Sequence, residues 1–303
     1  MAQFRTRRAP DDGVVLIDKP SGCTSHDVVA RVRRALRPTV KKVGHAGTLD
    51  PFATGLLLIL VGRGTKLARF FVDLEKEYVG TVRFGFTSDT GDRMGDITAV
   101  GQRTSLEQVS DVLPRFIGHI RQQVPMTSAV KVGGERLYKK AHRGETVATP
   151  VKDVEISALD VIDFDDHAQT MLFRVVCSKG TYVRQLAIDI GNAVGAGGYL
   201  DELARTAIGP FRLEDGMSLA AFEETVQGRL EGDMRIPGLV VPSTALQFMP
   251  AVTVTAAQTA GVRNGARLPS GPPEPVRVVY HGELLAVYGP SDEGPGLRPL
   301  VML

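Results

Sequence analysis

The chain has little of what marks the simpler functional classes. Only two of its 303 residues are cysteine, Cys23 and Cys177. Neither stands in a CxxC or other metal-ligand spacing, so two free, reduced thiols are expected instead of a disulfide framework or a zinc site. No apolar run approaches the roughly 18 to 20 residues a membrane-spanning helix needs; the longest, Gly55 to Gly62 (GLLLILVG), reads as a buried element. The basic start MAQFRTRRAP leads into Asp11 and Asp12 and not into an apolar stretch. No signal peptide is visible, and the cytoplasm is the expected location, with no membrane partner. GRGTK at Gly62–Lys66 lacks Walker spacing, and VGAGG around Gly195 reads as a loop, so neither phosphate-loop chemistry nor a dinucleotide cofactor is indicated.

What is present describes an ordinary globular protein, with 43% hydrophobic and 23% charged residues. The length allows one large domain and a small one. A net charge of +2 is too mild to indicate nucleic-acid binding, but its distribution is uneven. Residues 1–83 hold 15 Lys and Arg against 8 Asp and Glu. Much of that excess is Arg31, Arg33, Arg34, Arg37, Lys41 and Lys42. An isolated basic cluster is most often a solvated face; this one lies directly before the most unusual motif of the chain, which favours phosphate contacts.

Along the chain, residues 1–12 read as a basic arm and Gly13–Asp18 (GVVLID) as a strand ending in a KPSG turn. From Ser25, a plausible N-cap, the spacing of His26, Val28, Val29, Val32 and Leu36 predicts a basic amphipathic helix that stops before Pro38. Glu77–Phe86 reads as a strand, and TSDTGDRMGD after it as a loop. Leu106–Phe116 has helical spacing. Val151–Phe164 and Met171–Cys177 read as an antiparallel pair, and Tyr182, Leu186 and Ile190 predict a helix over Thr181–Gly191. Val241–Pro250 has the composition of a connector. The remainder, with strand-like runs Val276–Tyr280 and Leu284–Tyr288 and an Asn264-Gly265 turn, reads as a small β-rich appendage.

The segment Gly44-His45-Ala46-Gly47-Thr48-Leu49-Asp50-Pro51 sets an acid between glycines and a proline, just ahead of the buried run Leu56–Val61. Glycines permit close backbone approach and proline fixes direction. An aspartate held this way can act as nucleophile or general acid/base, or simply cap a following helix.

GHAGTLDPFATGLL resembles the signature motif of the bacterial tRNA pseudouridine synthases of the TruB family. Lys19-Pro20-Ser21-Gly22-Cys23-Thr24-Ser25 is similar to the family's KPxGxTS, Lys76-Glu77-Tyr78 to its KxY, Gly180-Thr181-Tyr182-Val183-Arg184 to its GTYxR, and Leu203-Ala204-Arg205-Thr206 with Gly209 to its LxRTxxG. Together these segments span roughly residues 13–211. One stretch departs from the pattern: where the family commonly has PPxYSAxK, this chain has Val124 to Lys131 with Thr127 in place of the tyrosine.

The resemblance implies Asp50 as the catalytic carboxylate, Arg184 as its ion-pair partner, and Tyr78 stacked on the flipped uracil and considered also for proton removal at carbon 5. It further implies Tyr182 and Leu203 lining the base pocket and His45 filling the space the flipped nucleotide leaves. Lys19, with Pro20, is counted with the substrate-binding group and expected to support the loop. It implies an α+β pseudouridine-synthase fold, a curved mixed, mainly antiparallel sheet flanked by helices, over residues 1–247, with a PUA-like RNA-binding domain over 248–303. The implied reaction is conversion of uridine 55 in the tRNA T-loop to pseudouridine by a monomer that needs no cofactor, no metal and no obligatory protein partner beyond the tRNA T-loop and elbow. Two other classes stand beside it: a tRNA-folding chaperone in which catalysis is secondary, and a glycosidase on free nucleosides. For the last, no second acid at a recognisable spacing is seen.

Overall fold

The computed structural model describes residues 12–229, 235–291 and 294–303. The basic arm expected over 1–12 therefore lies, Asp12 apart, outside the described residues.

The described residues open with strand β1 (Gly13–Lys19), helix α1 (Ser25–Ala35), strands β2 (Val43–Ala46) and β3 (Thr54–Val61), and the long strand β4 (Lys76–Phe84). β3 reads TGLLLILV without polar alternation because both its faces are covered. Leu56, Leu58 and Leu60 pack with Phe71, Phe211 and Leu246, whereas Leu57, Ile59 and Val61 pack with Val28, Val29 and Val32 of α1 and with Phe222. The cap of α1 is Thr24, one residue earlier than expected. Its hydroxyl accepts from the Asp27 amide at 3.1 Å and the Asp27 carboxylate accepts from the Thr24 amide at 2.9 Å, a reciprocal capping box. Ser25 is the first helical residue, and its buried hydroxyl pairs with the amide and carbonyl of Leu49 at 2.9 and 3.3 Å.

The stretch 87–96 after β4 is a loop as expected except at its start, where β5 (Phe86–Ser88) pairs with β6 (Ile97–Ala99) and makes the loop the turn of a hairpin. Helix α2 (Leu106–Val112) continues as a 3-10 turn over Leu113–Phe116, where Pro114 cannot donate to an α-helical ladder. β7 (Gly118–Gln123), β8 (Val151–Asp165) and β9 (Thr170–Cys177) follow, then α3 (Val183–Ala193) and β10 (Gly198–Ile208). The main sheet runs β1, β3, β10, β4, β9, β8, β7, with Met217–Ser218 outside β1. Every neighbour along β1 to β7 is antiparallel except β3 with β10. The layout is the mixed, mainly antiparallel α+β sheet that was expected.

The C-terminal residues form a separate four-stranded sheet of 251–253, 276–280, 283–290 and 297–302 with helix Ala256–Arg263 against it. The Asn264-Gly265 turn ends that helix: Asn264 is its C-cap and Gly265 has φ +78°. One face of the small sheet builds its own core around Val276, Val278 and the fully buried Tyr288, while Val287 joins Leu246 and Phe71 in the core of the main body.

The parallel contact of β3 with β10 brings Gly55 opposite Arg205. Gly55 has φ +101°, and a Cβ there would lie 2.4 Å from the Arg205 carbonyl oxygen and 2.7 Å from its amide nitrogen. Two backbones meet where no side chain fits. Gly55→Ala is expected to destabilise the fold by about 2–4 kcal/mol, read as a lower urea midpoint; an unchanged midpoint would show that β3 and β10 can move apart freely.

Candidate active site

Asp50 sits on the loop between β2 and β3, which is held from four directions. The Lys19 amino group donates to the carbonyls of Pro20 and Cys23 at 2.8 Å each and of Pro51 at 3.3 Å. Ser21 donates to the Phe52 carbonyl at 2.9 Å and the Gly22 amide to that of Pro51 at 2.9 Å. Ser25 holds Leu49, and Arg205 donates to the Gly47 carbonyl at 3.1 Å. Burial pulls the Lys19 amine below its ordinary pKa, with Cys23 and then Asp50 opposing. Lys19 has 0% exposure and its amino group is committed to three carbonyls. It clamps the loop and is not open to substrate, which corrects its place in the substrate-binding group.

Arg184, in the first turn of α3, reaches Asp50 with two nitrogens: Nε lies 2.9 Å from Oδ2 and Nη2 donates to Oδ1 at 3.2 Å. This is the two-pronged geometry a guanidinium offers a carboxylate. The remaining nitrogen, Nη1, donates to Asp92 Oδ2 at 3.2 Å, to the Thr90 carbonyl at 3.2 Å and to the Thr127 hydroxyl. Thr127, the residue that departs from the family's tyrosine, thus touches the back of the guanidinium. Asp92 is itself fixed, its Oδ1 accepting from the Thr90 hydroxyl at 2.8 Å and the Met94 amide at 3.0 Å. One cation therefore lies between two acids of unequal access: the Asp50 side chain is 34% exposed and that of Asp92 7%. The reachable carboxylate is Asp50. Burial raises its pKa above the usual carboxylate value; Arg184 opposes that rise and Asp92 adds to it.

Tyr182 precedes α3. Its backbone is bracketed by the buried Gln122 of β7, which accepts from the Tyr182 amide at 3.0 Å and donates to its carbonyl at 3.3 Å. Burial raises the Tyr182 phenol, against the Ser128 hydroxyl and the Arg184 charge. Tyr78 on β4 packs on the same cluster as Leu49, Phe52 and Leu203. Its phenol too is raised by burial, with Arg205 pulling it down. Asp50 contributes to the electrostatics of both tyrosines, so Asp50, Tyr78, Tyr182, Arg184 and Leu203 converge on one region. His45 lies on β2, its ring edge-on to His26 at 5.2 Å, and its Nδ1 is buried without a hydrogen-bond partner. Burial, then His26 and Arg205, hold His45 below the ordinary histidine pKa.

The basic cluster is split. Arg31 pairs with Glu223 and Arg33 donates to the Val43 carbonyl at 2.9 Å, while Arg34, Arg37, Lys41 and Lys42 are exposed. Lys41 and Lys42 line a cleft with Arg63 and Lys66. Sequence reasoning missed Asp92, Gln122 and the part played by Arg205. An acid in TSDTGDRMGD is unremarkable, and 92 residues separate it from the arginine it meets; only the β5–β6 turn delivers it. Among the described residues no group of three or more His, Cys, Asp or Glu could hold a metal ion, and no helix is long and apolar enough to cross a membrane.

Residues 33–183 match the family model described as TruB family pseudouridylate synthase (N terminal domain). The chain is 40% identical over 296 residues to tRNA pseudouridine synthase B of Dechloromonas aromatica, covering 96% of each chain. It is 42% identical over 293 residues to tRNA pseudouridine synthase B of Halalkalibacterium halodurans, covering 93% of this chain and 94% of the relative. Among solved structures it resembles a chain of a Cbf5-Nop10-Gar1 complex with TM-score 0.74 at 26% identity, over 97% of this chain and 84% of that one. A chain of an H/ACA RNP bound to a substrate RNA containing 2'-deoxyuridine shares the fold at TM-score 0.73 and 23% identity, over 96% and 84%.

Because Arg184 lowers and Asp92 raises the Asp50 pKa, the two neighbours have opposite signs when removed. Carboxyl carbon NMR titration is expected to find Asp50 ionising at lower pH in Asp92→Asn and at higher pH in Arg184→Met than in the wild type. Movement in the same direction in both variants would mean that the guanidinium and Asp92 do not act on Asp50 as separate charges.

Proposed function

The chain belongs to the TruB family of pseudouridylate synthases, and on that premise we propose that it converts uridine 55 in the T-loop of tRNA to pseudouridine, with Asp50 as the catalytic carboxylate. Being an isomerase that makes pseudouridine in tRNA comes with the family. The position and the residue roles are the proposal. The observation that carries it is the forked contact of Arg184 on Asp50, with Asp50 partly open and Asp92 closed off behind the guanidinium.

The reaction breaks the bond from uracil N1 to the ribose, turns the base, and joins carbon 5 to the same sugar carbon. All of it happens within one nucleotide, so no external group is needed. Asp50, whose pKa burial raises, is a less stabilised anion than a carboxylate in water and a better base or nucleophile for it. Arg184 favours its ionised form and aims it. A uridine lifted out of the RNA stack needs faces to replace its neighbours, and Tyr78, Tyr182 and Leu203 supply aromatic and apolar ones. His45, partly buried and held neutral, fits the role of filling the place the nucleotide leaves. Arg34, Arg37, Lys41 and Lys42 are the members of the basic cluster free to meet phosphates.

We assign residues 1–247 to catalysis and 248–303 to a PUA-like RNA-binding unit, acting as a monomer in the cytoplasm on the T-loop and elbow. Remodelling of the tRNA elbow is compatible with the same binding surface. A pure binder, however, has no use for a carboxylate in a cleft that receives phosphates, where it repels RNA.

Mass spectrometry of tRNA incubated with the protein is expected to find pseudouridine at position 55, at a rate lowered by at least about 10³-fold in Asp50→Asn while the RNA Kd changes little. Full activity in that variant would remove Asp50 from the mechanism. Glutamine at Arg34, Arg37, Lys41 and Lys42 is expected to flatten the salt dependence of binding, the slope of log affinity against log salt falling by roughly 0.7–0.9 for each phosphate no longer neutralised. An unchanged slope would return the cluster to a solvated face.

A further inference from the structure

Beyond its bond to the Asp50 loop Arg205 has no part in the site as described so far, yet it is the largest fully buried side chain among the described residues, 1% exposed. Its Nε donates to the Leu56 carbonyl at 2.8 Å and its Nη2 to the Gly47 carbonyl at 3.1 Å. None of the ion pairs formed among the described residues includes it. A guanidinium sealed from water with no carboxylate to pair with is costly, and an apolar side chain of similar size would fill the space without that cost. Stability alone gives no reason to keep a charge there.

What faces Arg205 supplies a reason. The pairing of β10 with β4 sets Arg205 directly opposite Tyr78, and residues paired in this way project to the same face of a sheet. The other groups around the guanidinium are Lys19 from β1, His45 from β2 and Lys76 from β4, together with the Gly47 carbonyl of the Asp50 loop. All three of those titratable groups are bases, which the positive charge drives toward neutrality, Lys76 to about 8 with burial as the larger cause. Tyr78 is the acid of the set. The same charge pulls its phenol toward ionisation, against burial, which raises it; Cys177 and Asp50 also raise it.

We propose that Arg205 is a positioning residue of the reaction, a buried guanidinium that ties the Asp50 loop to β3 and sets the place and charge environment of the Tyr78 oxygen beside the base. The inference rests on the reading of Tyr78 as the residue that removes the proton from carbon 5. Once carbon 5 has bonded to the sugar it carries both that bond and its hydrogen. The phenolate oxygen takes the proton, the carbon–hydrogen pair becomes the bond between carbons 5 and 6, and N1 gains a proton from water. The phenol then returns its own proton to solvent, so no oxidant, reductant or carrier is needed. Arg205 contributes by making the phenolate less unfavourable in an apolar pocket and by fixing the phenol relative to Gly47, three residues before Asp50.

The test uses the full-length protein and a T-loop stem-loop RNA, unlabelled or with deuterium at carbon 5. Arg205→Met is expected to lower kcat by about 10-fold or more with KM changed less than about 3-fold, to reveal a deuterium isotope effect, and to move the Tyr78 titration to higher pH. The titration is read by carbon NMR on labelled tyrosine, with Tyr78→Phe identifying the signal among six tyrosines. A merely structural role moves neither the isotope effect nor the titration. Should Arg205→Met not fold, Arg205→Lys carries the test, because an ammonium keeps the charge but cannot span two carbonyls and a phenol. It is then expected to lower kcat with the same isotope signature. A folded Arg205→Met or Arg205→Lys with wild-type kcat, or a folded Arg205→Met with the Tyr78 titration unmoved, overturns the inference. Full kcat in Tyr78→Phe would instead overturn the reading of Tyr78 beneath it.

Discussion

One guanidinium organises the centre of this protein. Arg184 divides its nitrogens between Asp50 on one side and Asp92, Thr90 and Thr127 on the other. A cation between two acids can satisfy both only while each is held still, and the surrounding contacts do that holding. Lys19, Ser25 and Arg205 fix the Asp50 loop, Gln122 fixes the entry to α3, and the Met94 amide and Thr90 hydroxyl fix Asp92. The acid left open is then one whose ionised form burial disfavours, burial raising its pKa against the arginine.

The sheet makes the meeting possible. Asp50 precedes β3, Tyr78 lies on β4, Leu203 and Arg205 on β10, and these three strands are neighbours in the order β3, β10, β4. The close approach of β3 to β10 at Gly55 and Arg205 is what lets a buried arginine reach the Gly47 carbonyl from the far side of the loop. Motifs scattered along the chain thereby become one surface, with the apolar run of β3 as its rigid backing.

Much of this was legible in the sequence, and the failures have physical causes. The Asp50 loop stood out because two glycines, a proline and a long apolar run surround one acid. Ser25 and Thr24 are both good caps on chemistry alone; the choice between them is made by the bond of Ser25 to Leu49, a tertiary contact invisible to local pattern. Lys19 was expected to support the loop while counted with the substrate-binding group; that its amino group is closed off under three carbonyls follows only from the loop folding back over it. β10, Gly-Tyr-Leu-Asp-Glu-Leu-Ala-Arg-Thr-Ala-Ile, hides its role as a central strand because its buried Arg205 and half-exposed Asp201 break the expected apolar signature. Asp92 was out of reach for a similar reason: its place depends on the β5–β6 turn and on a bridge to Leu200 at the start of β10.

The central claim is that the Asp50 carboxylate meets the ribose or base of an extruded uridine. A crystal structure with a T-loop stem-loop carrying a non-reacting uridine analogue at position 55 measures this directly. The account predicts the nucleotide out of its stack, between Tyr78 and Tyr182, with an Asp50 oxygen about 3–3.5 Å from a reacting atom of that nucleotide and Arg184 still on the carboxylate. A uridine that stays stacked in the RNA, or one extruded elsewhere with Asp50 facing only protein, would contradict it.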